Sequence, residues 1–170
     1  MIGNAIIMGL IWSAVWILYV FIILKRYPWE MLHDYPRDVQ EAATIPEPSE
    51  IQKKRAKLFG AFAGLVIFGL LLLSGLLYFR HEPTTFLNVL LYVGIVAMAW
   101  NVVDLLIMDW LINCLITPQW IIIPGTEGCK GYKDYFFHFK GFLIGCVYTA
   151  IMALLFAGID YVVLRFLIWK

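Results

Sequence analysis

The chain has 170 residues, of which 62% are hydrophobic and 15% charged, with a net charge of +1 and a mean hydropathy of +0.82. Soluble domains carry about 25% charged residues, so this composition excludes a soluble enzyme and, with no basic domain, a nucleic-acid partner. The fold class expected is an all-α integral membrane protein: a compact bundle of four transmembrane helices with an interfacial Gly/Pro-rich loop between helices three and four, forming a single transmembrane domain over residues 1–170.

The first apolar run, Ile2–Leu24, is long enough for a hydrocarbon core of about 30 Å, which needs roughly 20 helical residues. It lacks a basic leader and a small-residue cleavage site, and KRYPW follows it, so it reads as a retained helix rather than a secretory signal. Loop 25–57 comes next. Pro36 and Pro46 bracket a short helix from about Arg37 to Thr44, with Asp38 in the first turn, where a negative charge suits the helix dipole. The loop reads as a solvated connector with an interfacial anchor at Tyr27, Trp29, Met31 and Leu32, a reading preferred over catalysis by His33 and Asp34. KKRAK beside helix two offers contact with anionic lipid.

The second span covers Leu58–Phe79. The third, Phe86–Thr117, would be about 48 Å long at 1.5 Å per residue, so it must tilt or emerge. It carries Asn101, Asp104, Asp109 and Asn113, polar groups whose burial in hydrocarbon requires a partner, a cavity or water. At about 100° per residue they spread over an arc of roughly 180°. Loop 118–133 follows, with Pro118 and Pro124 flanking an extended WIII segment. Gly125, Gly128 and Gly131 there, beside Thr126, Glu127, Lys130 and Lys133, suggest a phosphate or headgroup cradle, although the order of residues is not that of a P-loop. Helix four is expected from about Asp134 to Ile168. Its small residues Gly141, Gly145, Thr149, Ala153 and Ala157 permit close packing or a homo-oligomer.

Of the 13 Lys and Arg residues, ten lie in or next to loops one and three and three on the opposite side. By the positive-inside rule both loops are cytoplasmic and both termini outside, in a plasma (inner) membrane. Cys114, Cys129 and Cys146 then lie in or near a reducing compartment and read as free thiols. No recognised zinc spacing is present. The three histidines sit in loops or at helix ends, which argues against an intramembrane haem, and no glycine fingerprint supports a dinucleotide. The cofactor and any metal stay unassigned.

The candidate site is a polar cleft at the cytoplasmic face. Asp104, Asp109, Asp134 and His138 form the acid–base set, with Asp134 and His138 paired by their i, i+4 spacing. Asn101, Asn113, Glu127, Lys130 and Lys133 form the substrate-binding set. The expected function is to bind or process a lipid headgroup or small amphipathic molecule, with membrane lipids as partners. The alternative is a packing subunit or small transporter, with Asp104 as a proton or cation relay.

Overall fold

A computed structural model describes residues 1–169. Helix α1 runs Ile2–Arg26, followed by the one-turn α2, Pro28–Met31, a 3₁₀ turn at Leu32–Asp34, and α3, Arg37–Ala42. Helix α4 runs Glu50–Phe79, α5 Phe86–Val103 with a continuation through Ile116, and α6 Tyr135–Val163 with a short continuation through Ile168. There are no strands among the described residues, and four of these helices are long and apolar enough to cross a membrane.

Two helix boundaries have clear local causes. Helix α4 begins at Glu50, ahead of the expected Leu58, because Ser49 and Gln52 form a capping box that satisfies two backbone donors reciprocally. The basic run KKRAK therefore forms the first turns of the helix and is not loop. Helix α6 begins where Asp134 accepts the Phe137 N–H at 2.9 Å.

Helix α5 is the centre of the bundle, packed chiefly on α1 and α6, with α4 closing the fourth side. Its Val89, Tyr92, Val93, Val96 and Ala97 are almost fully buried and meet Ala5, Trp12, Ile67, Leu71, Ala153 and Ala157 from the other three. The small-residue stripe of α6 is used inside the chain: Thr149, Ala153 and Ala157 are buried, and a Cβ at Gly145 would fall on the Asn101 amide. Gly141 alone of the five has open space around it.

Below Val103 the helix widens. Asp104–Ile116 follows an i→i+5 ladder through thirteen residues, ending at Thr117 in the left-handed conformation. Such wide turns are rare and concentrate at functional sites. The expected wheel at 100° per residue therefore fails here. The wider turn brings Asp104 and Asp109, five residues apart, much closer in azimuth than an α-helix would.

The loops following α1 and α5 are not solvated connectors. They pack together as a cap over one end of the bundle, around Leu24, Tyr35, Val39, Ile121, Ile123 and Tyr132. The Thr44 N–H donates to Pro124 O at 2.8 Å, the Tyr35 hydroxyl to Ile121 O at 3.4 Å, and the Ile123 N–H to the Tyr132 hydroxyl at 2.9 Å.

Candidate functional site

The wide segment of α5 and the start of α6 build a buried polar triplet. His138 is 7% exposed. Its Nδ1 lies 2.9 Å from Asp109 Oδ1, and its Nε2 lies 2.8 Å from Asn113 Nδ2. The three groups satisfy one another in a single tautomer: Nδ1–H donates to the carboxylate, while the Nε2 lone pair accepts the amide N–H. Both ring nitrogens are thereby occupied, so His138 orients Asp109 instead of offering a free base. Asn113 is 4% exposed, and its Oδ1 is buried without a donor.

Asp109, Asn113 and His138 line a chamber of about 70 Å³, together with Val20, Leu24, Met31, Met108, Ile121, Asp34 and Tyr35. A larger chamber of about 550 Å³ adjoins it across Val20, Met31 and Asp34, which line both. Its walls are Trp16, Tyr19, Ile23, Ala56, Gly60, Ala61 and Trp100, and its polar groups are Glu30, His33, Asp34, Lys57 and Asp104. Trp16 and Trp100 stack there, with centroids 5.2 Å apart and planes 15° from parallel. The Trp16 indole N–H is buried and has no acceptor.

Electrostatics at the mouth follow from enclosure. Partial burial raises the Asp34 carboxyl above its ordinary value, His33 at 3.2 Å pulls it back, and Asp109 pushes it further up. Burial, aided by Tyr132, Asp34 and Asp109, raises the Tyr35 phenol, which stays a neutral donor.

Several expected site residues are placed elsewhere. Asp134 does not pair with His138; its carboxylate caps α6, and Asp109 from the facing helix takes the imidazole. Asn101 faces α6, where its Nδ2 reaches Phe142 O at 3.5 Å and Cys146 Sγ at 3.4 Å, outside both chambers. Lys133 donates to Thr117 Oγ1 at 2.6 Å and Leu115 O at 3.3 Å, holding the carbonyl end of the wide segment. Glu127 and Lys130 are exposed on the cap and line neither chamber.

Two of the three glycines of the cradle, Gly125 and Gly131, are already met from within the chain. Asp38 Oδ2 accepts the Gly131 N–H at 2.8 Å, and a Cβ at Gly131 would strike that carboxylate. Gly125, at φ +88°, sits against Thr44 and the Ala42 carbonyl. The close backbone approach expected for a phosphate serves α3.

Two site residues and one acid outside the site carry more than their local sequence suggests. His33 and Asp34 were read as connector, because nothing local showed that their loop folds back over helix three. Asp160 of α6, fully buried beside Gly75 and Val93 in the half remote from the cap, has both carboxyl oxygens without partners. Its signal was plain: an acid inside the last apolar run. No cluster of three His, Cys, Asp or Glu side chains suited to a metal ion occurs among the described residues. Comparison of the chain with family models, with curated proteins and with solved structures returned no match.

Proposed function

We propose that this protein crosses the plasma (inner) membrane four times, with both termini outside and the cap in the cytoplasm, and binds a small amphipathic molecule in the cleft beneath the cap. The observation that carries this reading is the lining of the larger chamber. Aromatic and aliphatic side chains, Trp16, Tyr19, Val20, Ile23, Ala61 and Trp100, form most of its walls, and Glu30, His33, Asp34, Lys57 and Asp104 supply its polar groups. A mainly apolar pocket carrying a few polar groups, most of them from the loop after α1, suits a ligand with an apolar body and a polar head. The cytoplasmic placement is supported by the ten basic residues in and beside the two long loops.

Binding is favoured over processing by the state of His138, whose two ring nitrogens are both spent on protein partners. A general base must reach the proton it removes. The relay alternative is less well served. Asp104 opens into the larger chamber, but the next polar group on the helix, Asn101, points to α6 and extends no path.

The test is bulk in the chamber. A Cβ at Gly60 would meet only the Tyr19 hydroxyl, at 3.9 Å, so Gly60→Leu places a side chain there without a backbone clash. Native mass spectrometry of the purified wild type should retain an amphipathic adduct that Gly60→Leu loses at equal folded yield. Equal retention by both proteins would remove the chamber from the binding role.

A further inference from the structure

The ligand's polar end can be assigned a chemical class, an assignment that rests on the amphipathic reading above. We propose that the head is a primary ammonium group, seated in the small chamber between Asp109, Asp34 and Asn113, with the body of the ligand lying along Trp16 and Trp100.

The charge count points to a cation. The two chambers together present the carboxyl groups of Glu30, Asp34, Asp104 and Asp109 against Lys57, which is exposed, and His33, which lies 3.2 Å from Asp34. His138 answers Asp109 through Oδ1, and Asp109 also lines the small chamber. An anionic head in the small chamber would face the Asp34 and Asp109 carboxylates that line it, which disfavours the phosphate expected from the glycine loop.

Asn113 supplies an independent sign. This amide is 4% exposed and lines the small chamber, yet its Oδ1 has no donor. Leaving a buried acceptor unpaired costs on the order of 1–3 kcal/mol. The group that satisfies it must bring an N–H or O–H. With two carboxylates beside it, the donor that also answers their charge is an ammonium carrying several hydrogens.

Hydrogen bonding selects among cations. A primary ammonium has hydrogens to give Asn113, whereas a quaternary ammonium has none. Behind the head, the stacked indoles of Trp16 and Trp100 offer aromatic surface next to the carboxylates, suited to a chain beginning near a positive charge.

The experiment uses the full chain in a neutral detergent and isothermal titration with five probes: octylamine, octyltrimethylammonium, octanol, octyl phosphate and ethanolamine. Octylamine should bind about tenfold or more tightly than octanol and the quaternary amine, since a charge-assisted hydrogen bond separates them. Ethanolamine should bind far more weakly, which would place the source among membrane amphiphiles instead of free amines. Asp34 is half exposed and makes no buried contact, so Asp34→Asn should fold normally. It should weaken octylamine about tenfold while leaving octanol unchanged.

Equal binding of octylamine, octanol and octyl phosphate would overturn the ammonium assignment and keep the amphipathic cleft. Equal binding of the quaternary amine, or an unchanged octylamine affinity in Asp34→Asn, would overturn the seat described. Ethanolamine as tight as octylamine, or no binding by any probe, would overturn the amphipathic reading itself.

Discussion

Asn101 and Asn113 are amides of one helix with different tasks. Asn101 is a packing group whose amide occupies the space that Gly145 leaves vacant on α6. Gly145→Leu should therefore destabilise the bundle by about 1–3 kcal/mol through overpacking. Gly141→Leu, on the same helix with nothing near its Cβ, should cost little. Thermal unfolding of both variants in one detergent checks this, and equal melting temperatures would place Gly145 outside the interface. Asp34 makes a pH prediction. Its carboxyl is raised in the folded state, chiefly by burial, so the fold holds the proton more tightly than the unfolded chain does. Its effect is nil below the ordinary carboxylate range, becomes destabilising as pH rises through it, and levels off above the raised value. Asp34→Asn should melt with the wild type near about pH 3 and above it near about pH 7. The opposite trend would mean that His33 outweighs burial.

At the scale of elements, the wide segment of α5 decides whether the site exists. Deleting Ile107, an exposed residue within it, should shift the register of everything after it by one residue and turn Asn113 and Asp109 off His138. The variant should keep its helical circular dichroism and lose the amphipathic adduct; retention of the adduct would show that the register is immaterial. Ser49→Ala should cost α4 about 1 kcal/mol, measured by unfolding, as the loss of a capping box does. These two elements also mark what a sequence discloses. The four long helices were legible because apolar runs of such length have few alternatives. The start of α4 was misplaced because KKRAK reads as loop by charge, although the Ser49–Gln52 box upstream carried the signal. The i→i+5 register was not legible, since residue types do not distinguish it from an α-helix. For that reason Asp109, Asn113 and His138 were each named while their arrangement was not. Asp134 was matched to His138 by local spacing, and a residue from the facing helix made the contact.

At the scale of the whole molecule, the cap and the charge bias make one testable orientation. In intact cells an impermeant thiol reagent should miss Cys129, partly exposed on the cap, and label a cysteine introduced beside Glu82 in the turn between α4 and α5. Reversed labelling would put the cleft on the outer face.

The cap also imposes an order on synthesis. A ribosome delivers α1, α3 and α4 while Pro124, Gly131 and His138 are still unmade, so Asp38 and Thr44 begin life in water with no acceptor or donor to meet. Their partners arrive only with the stretch that leads into α6. The small chamber likewise takes Asp34 and Tyr35 from the early half of the chain and Ile121 and His138 from the late half. A nascent or prematurely terminated copy thus lacks the small chamber, and a head group seated there reports that translation has run past the fourth helix's first turn.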